Sequence, residues 1–145
     1  MTWAHERLNA LKPGEATVPP VVETLRLGTL GDWGPGWVTK RWQSDPALLN
    51  SDGSMFGGYI AALADQILAL AALTVLPENA TMRTVHLNLQ FVRIGRGEPL
   101  CIDGKVIAQS RSLITVACEI KTERAALIAT ATAQQMVLYG AVTQS

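Results

Sequence analysis

An almost entirely apolar helical segment is the feature that most constrains how this chain can fold. Across Tyr59–Leu76 the only polar residues are Asp65, Gln66 and Thr74. A helix that is apolar on nearly every face has to be covered on nearly every face. We therefore predict a helix over Gly57–Leu76 that is surrounded by a sheet, with a second copy of the chain covering whatever the sheet leaves open.

Most of the remaining chain has the pattern of β-strands. Residues 84–92 alternate apolar and polar side chains with the period of two that a half-buried strand requires. Glycine-rich or charged turns separate the other candidate segments. The predicted strands are 21–27, 37–43, 84–92, 100–109, 113–121 and 125–138.

The order of these elements predicts the fold class. Two strands, one buried helix and four further strands fit an α+β domain, in which a curled antiparallel sheet of five to six strands wraps around the helix. We expect residues 1–145 to form this single domain. Residues 1–20 would contribute an N-terminal helix over 2–12 and a connector interrupted by prolines.

The composition excludes several classes of function. The formal net charge is zero, so the chain lacks the basic excess with which nucleic-acid binders neutralise phosphates. With two histidines and no Cys/His spacing typical of zinc sites, we expect no metal. The polar N-terminus is not a signal peptide, and an acid at the centre of the apolar helix argues against a membrane span. We predict a cytoplasmic protein.

The start of the predicted helix has the features of an oxyanion site. The first N–H groups of a helix have no intrahelical acceptor and carry a partial positive charge. The Gly57-Gly58 pair would let a substrate carbonyl approach these groups closely. Asp65 would act as a general base towards water or attack the carbonyl itself. A purely structural alternative remains, in which the acid caps a loop or pairs with an arginine and the glycines allow close packing.

The spacing of these residues predicts how two chains would share a site. Eight residues of helix separate Gly57 from Asp65 by about 12 Å, whereas both groups must reach within about 3–4 Å of one carbon atom. One helix cannot bring them together. Two antiparallel helices related by a two-fold axis can, so we predict a homodimer with two composite sites.

The pattern Asn50-x2-Gly53-x3-Gly57-Gly58-x6-Asp65 resembles the signature of hotdog-fold acyl-CoA thioesterases. The similarity is to the phenylacetate-type branch, which typically reads Asn-x2-Gly-x2-His-Gly-Gly-x6-Asp. It covers about residues 45 to 139. The resemblance implies a hotdog fold and hydrolysis of an acyl thioester, with coenzyme A as part of the substrate and no other cofactor.

The resemblance also implies roles for individual residues. Asp65 matches the catalytic acid, and Gly57 matches the residue whose backbone N–H binds the thioester oxygen. Asn50 matches a polar side chain that orients water or substrate. Thr84 falls near a Ser/Thr that assists the acid in some members, with one residue of insertion.

Further residues match positions close to the substrate. Arg111 and Ser112 belong to a segment similar to the family's Gly-Arg/Lys-Thr/Ser-Leu hairpin, where coenzyme A phosphates lie in several relatives. Arg93 is another candidate for a phosphate contact. Phe56 is a departure, because it stands where the family usually has a histidine before the glycine pair. A phenyl ring there would exclude water or contact the acyl group.

Two other functions are compatible with the same scaffold. A non-catalytic acyl-CoA binding or sensing protein is favoured by the replacement of the histidine with Phe56. A hotdog dehydratase or hydratase pairs a histidine with a carboxylate, and neither His5 nor His86 lies beside a suitable motif. Association of dimers into tetramers is also left open.

Overall fold

The apolar segment forms one long helix in a computed structural model that describes residues 2–14 and 18–140. The helix spans Gly57–Leu73, and most of its side chains are buried. It ends before the predicted Leu76, because the N–H groups of Thr74, Val75 and Leu76 donate to carbonyl oxygens three residues back instead of four. Thr74 Oγ1 also donates a hydrogen bond to the Ala71 carbonyl oxygen at this last turn. Pro77 follows, and a proline disfavours helical geometry in the residue before it.

A six-stranded antiparallel sheet packs against this helix, which confirms the predicted α+β class. In chain order the elements are α1 (Trp3–Ala10), α2 (Pro20–Thr24), β1 (Asp32–Gly34), β2 (Trp37–Trp42), a 3-10 helix (Pro46–Leu48), α3 (Gly57–Leu73), β3 (Ala80–Phe91), β4 (Leu100–Gln109), β5 (Leu113–Thr122) and β6 (Leu127–Tyr139). The strand order is β1-β2-β4-β5-β6-β3. The long helix therefore carries the chain from one side of the sheet to β3 at the opposite edge.

The N-terminal third differs from the prediction at α2 and at β1. The strand predicted over 21–27 is wrong, because residues Pro20–Thr24 form the short helix α2. Pro20 occupies its first turn, where a fixed φ favours a helix and the missing N–H costs nothing. The first strand is instead β1, inside the segment predicted to be a loop. The predicted N-terminal helix is confirmed, whereas residues 15–17 of the connector lie outside the described residues.

A missing side chain lets α3 approach the sheet closely. A Cβ atom placed on Gly104 of β4 would lie 3.1 Å from the carbonyl oxygen of Ile67 in the helix and 3.2 Å from Val38 of β2. Both neighbours are fully buried. The glycine therefore brings the helix backbone against the middle of the sheet, where aliphatic side chains of β2, β4 and β5 complete the core.

The edge strand β3 contains a β-bulge that changes which side chains face the helix. Thr84 lies opposite Gln135 of β6 whereas His86 lies opposite Gln134, so Val85 is the extra residue. Residues directly opposite each other share a face of the sheet. Since Gln135 is buried on the helix side, Thr84 also lies on that side, and not on the face of His86 as strict alternation predicted.

A buried lysine on β2 gives the fold a predictable pH dependence. Lys40 is 3% exposed and donates hydrogen bonds to the Leu27 carbonyl oxygen and to Gln66 Oε1. Burial lowers its pKa to about 8. The unfolded chain then binds more protons than the folded one between about pH 8 and 10.5, so stability rises with pH across this window.

We expect this lysine to add about 2 kcal/mol to the free energy of unfolding between pH 7.5 and pH 10. Urea unfolding of the wild type and of Lys40→Met at both pH values measures the difference. The gain should disappear in Lys40→Met and persist in Lys105→Met, which removes an exposed lysine of β4. An equal pH response in the wild type and Lys40→Met would contradict the assignment.

Candidate active site

The N-terminus of α3 presents unused hydrogen-bond donors. Within the described part of the chain, neither the Gly57 N–H nor the Gly58 N–H has an acceptor. Phe56 precedes them at the N-cap position and provides no side-chain cap. The first N–H groups of a helix point along its axis and attract a partial negative charge. This end of α3 can therefore receive a carbonyl oxygen.

Two phenyl rings flank this helix end and lie close to its two glycines. A Cβ atom on Gly58 would lie 2.8 Å from the Phe56 ring, and one on Gly57 would lie 3.1 Å from the Phe91 ring. Both rings are exposed, at 59% for Phe56 and 60% for Phe91. Sequence analysis missed Phe91, although its place on the apolar face of β3 was the available signal. The approach to the first N–H groups of the helix is therefore narrow, with an apolar ring on each of two sides.

A pocket of about 330 Å³ opens beside these donors. Its lining is mainly apolar and comes from the segment before α3, from the first turn of α3, and from the last residue of β3 with the segment that follows it. The lining residues are Ser54, Met55, Gly57, Ile60, Phe91, Val92, Arg93, Ile94 and Gly95. Gly57 and Arg93 are the predicted site residues that the structure brings together here. An apolar pocket with one cation and a free amide suits a ligand with an apolar body and a polar group.

Asp65 lies in the middle of α3, away from this pocket of the same chain. Its side chain is exposed in the single chain, although it belongs to a helix that the sequence predicts to be covered on nearly every face. Nearby protein atoms still desolvate the carboxylate and raise its pKa. None of the described residues forms an ion pair or hydrogen bond with it. The structural alternative, in which the acid caps a loop or pairs with an arginine, therefore has no support within these residues.

Asn50 holds the turn that leads into α3. Its side-chain amide donates a hydrogen bond to Ser54 Oγ at 3.0 Å. Its backbone N–H and carbonyl bond to Ser54 and Gly53, and Gly53 has a φ of +82°. A positive φ favours glycine, which accounts for the Asn-x2-Gly part of the pattern. In the single chain Asn50 therefore shapes the turn.

Arg111 and Ser112 lie in the turn between β4 and β5, outside the pocket lining. The Arg111 guanidinium stacks over the Tyr139 ring at 4.7 Å, and the Arg111 carbonyl oxygen accepts a hydrogen bond from the Tyr139 hydroxyl. The Ser112 carbonyl oxygen accepts one from the Val137 N–H. The turn is thus fixed to β6 with the arginine exposed.

Neither of the two histidines lines the pocket beside α3. His5 Nε2 hydrogen-bonds with the Thr74 carbonyl oxygen, and His86 is exposed on the outer face of β3. In residues 2–14 and 18–140, no three His, Cys, Asp or Glu side chains converge as metal ligands would. Over the same residues, no helix is long and apolar enough to cross a membrane.

The match of the sequence to a family model agrees with the geometry of this site. The model of the thioesterase superfamily matches residues 52–129, which include α3 and most of the strands that follow it. The match covers more than half of the chain. The protein therefore belongs to the thioesterase superfamily. No curated protein sequence matches the chain.

Solved structures with the same fold include thioesterases. A phenylacetic acid degradation-related protein from Ralstonia eutropha JMP134 is 29% identical, with a TM-score of 0.78 over 90% of this chain and 98% of that one. A thioesterase family protein from Silicibacter pomeroyi is 24% identical, with a TM-score of 0.81 over 94% and 99%. A hypothetical thioesterase from Streptococcus pneumoniae TIGR4, solved with coenzyme A, is 21% identical, with a TM-score of 0.71 over 78% and 87%. These similarities confirm the hotdog fold.

Proposed function

We propose that the protein is an acyl-CoA thioesterase whose active sites each combine two chains. The observation that carries this proposal is that the groups needed for hydrolysis lie at two separate positions along one helix. Among the described residues, N–H groups without an acceptor and an apolar pocket lie at the start of α3, whereas a partly desolvated carboxylate without a partner lies about 12 Å further along it. Membership of the thioesterase superfamily supports the reaction class. We place this reaction in the cytoplasm.

In the proposed reaction, the start of α3 from one chain and Asp65 from the other chain act on the same thioester. The Gly57 N–H of one chain binds the thioester oxygen and stabilises the negative charge that develops on it. Asp65 of the other chain takes a proton from water as the water oxygen bonds to the carbonyl carbon. The carbon–sulfur bond then breaks, and the thiolate leaves and is protonated. Direct attack by the Asp65 carboxylate, followed by hydrolysis of the anhydride, is the alternative that the same geometry permits.

The edge strand β3 supplies the surface for the second chain. All of its 12 residues except the bulged Val85 pair with β6 on one side, and within the described residues no strand pairs with the other side. Leu87, Leu89 and Phe91 lie opposite buried alanines of β6, so they face the helix side of the sheet. Val85, Leu87 and Phe91 are nevertheless 54%, 38% and 60% exposed. A long unpaired edge with exposed apolar side chains favours pairing with a second copy.

This dimer gives a testable expectation for Leu87. A lysine there would place an unpaired charge in the proposed interface, so we expect Leu87→Lys to raise the dimer dissociation constant at least about 100-fold. Sedimentation velocity over a dilution series measures this constant. Hydrolysis should fall as dimers dissociate, because each site needs both chains.

Asn88→Lys is the matched control for this experiment. It adds the same charge to the adjacent residue, on the opposite face of β3. We expect this variant to remain dimeric and active. A monomeric wild type, or a Leu87→Lys monomer with undiminished turnover, would contradict the composite site.

The pocket and nearby arginines support an acyl-CoA substrate. The apolar lining fits an acyl group, and Arg93 at the same pocket can pair with a phosphate of the carrier. Arg111 and Ser112 would contact the carrier from the β4–β5 turn. Two related structures were solved with coenzyme A and acetyl-CoA. Phe56 and Gly58 would border the thioester, with the phenyl ring excluding water from the amide.

A hydrolysis screen tests the proposal. Aromatic, short-chain and long-chain acyl-CoA substrates are incubated with the protein and a thiol-trapping dye, with Asp65→Asn prepared in parallel to reveal contaminating esterases. We expect the wild type, and not Asp65→Asn, to hydrolyse at least one of these three classes of substrate. One competing function, a non-catalytic acyl-CoA binding protein, is favoured by Phe56. Its exposed ring lies over Gly58, at the position where the thioesterases that the sequence resembles usually have a histidine. Measurable acyl-CoA binding without turnover in any class would select that function.

A further inference from the structure

A buried amide on β6 has no evident structural reason to be polar. Gln135 is 1% exposed and points to the helix side of the sheet. Other positions on this face of the strand are small or apolar, namely Ala129, Ala131, Ala133 and Val137. Burying an amide whose hydrogen bonds are incomplete costs free energy. An apolar residue here would pack with less penalty.

The hydrogen bonds of this amide lead to one exposed hydroxyl. Gln135 Oε1 accepts a hydrogen bond from Thr84 Oγ1 at 3.0 Å. Gln135 Nε2 is buried without a partner among the described residues. The glutamine therefore makes one side-chain contact that an apolar residue could not make, and that contact is with a residue matching a position near the catalytic acid.

The β-bulge at Val85 is what makes this contact possible. With strict alternation Thr84 would lie on the outer face beside His86, but the extra residue turns it to the face of Gln135 and α3. The Thr84 side chain is exposed at the edge where the second chain is proposed to pair. Because its proton is donated to Gln135, its oxygen can only accept further hydrogen bonds.

We propose that Gln135 is a positioning residue for thioester hydrolysis. It fixes the Thr84 hydroxyl with the proton turned into the sheet and the oxygen lone pairs open to the site. The attacking water then gives one proton to the Asp65 carboxylate and donates a hydrogen bond from its other proton to Thr84 Oγ1. This orients the water lone pair towards the carbonyl carbon. The inference rests on the proposed function and adds a residue to it.

A double-mutant cycle tests this role. Gln135→Met keeps the length of the side chain and removes both polar groups, and Thr84→Val removes the hydroxyl. We expect each single variant to lower kcat about tenfold with KM within about twofold of the wild type, because water orientation acts on the chemical step. The double variant should be no slower than Thr84→Val, since Gln135 acts only through that hydroxyl.

Three results would overturn the inference. These are an unchanged kcat in Gln135→Met, single effects that multiply in the double variant, or a loss that appears only in KM. If Gln135→Met unfolds, Gln135→Glu, which keeps an acceptor at the same position, must retain a kcat above that of Thr84→Val. The wild-type rate separates the two proposals: an inactive wild type refutes the thioesterase itself, whereas an active one with independent effects refutes only the role of Gln135.

Discussion

Asp65→Asn is expected to lower kcat about 100- to 10,000-fold while the dimer stays folded. An asparagine has nearly the same shape but cannot take a proton from water or attack a carbonyl, and general bases contribute rate factors of this size. Steady-state hydrolysis of the best substrate from the acyl-CoA screen measures the loss. KM should change little, because the carboxylate acts on the transition state.

Stability is the control for this variant. Desolvation raises the pKa of Asp65, which means that folding disfavours its charged form. Removing the charge should therefore leave Tm equal to that of the wild type or higher. A loss of activity smaller than tenfold with folding intact would contradict the catalytic role.

The pH dependence of the wild type follows from the same shift. The carboxylate must be deprotonated to act, so kcat/KM falls as the pH drops through its pKa. Since this pKa lies above its ordinary value, the acid limb should lie at higher pH than the ordinary pKa of an aspartate would place it. The limb should be absent from the residual activity of Asp65→Asn.

Gly57→Pro is expected to lower kcat about 100-fold or more by removing the backbone N–H that binds the thioester oxygen. The helix should tolerate it. Gly57 is the first residue of α3, where proline is favoured, and Phe56 already has the extended φ and ψ of −64° and 126° that a following proline requires. Hydrolysis rates and circular dichroism of the purified variant measure the two effects separately.

Gly57→Ala is the matched control, because it adds a Cβ atom and keeps the N–H. That atom would lie 3.1 Å from the Phe91 ring, which is exposed and can turn aside. We expect this variant to retain activity within about tenfold of the wild type, since the oxyanion donor remains. Equal losses in the alanine and proline variants would assign the effect to crowding and remove the N–H from the mechanism.

The sequence predicted those parts of the fold that local pattern determines. The apolar run defined α3, and β4 was predicted at the bounds it has, 100–109, because turn residues delimit it on both sides. The prediction failed at Pro20–Thr24, where two valines suggested a strand but a proline in the first turn favours a helix. The bulge at Val85 was also missed, because it depends on pairing with β6 and local alternation does not report it.

The candidate site, like the fold, was predictable only in part. The glycine pair and Asp65 could be identified because a charge and two glycines are conspicuous in an apolar helix. Gln135 could not, since its importance arises from a contact between segments distant in the chain, and for Phe91 the sequence pattern indicated only a place on the apolar face of β3. The exposure of Asp65 was also not predictable, because it depends on which face of α3 the sheet leaves open.

Activity of a purified heterodimer tests the composite site most directly. One chain carries Asp65→Asn and the other Gly57→Pro, with different affinity tags for purification. If each site takes its acid from one chain and its N–H from the other, one of the two sites is intact and about half of the wild-type rate returns. Placing both substitutions on one chain and none on its partner should leave both sites damaged and the dimer inactive. The reverse outcome, an inactive first heterodimer and a half-active second one, would show that each site lies within a single chain and would contradict the account.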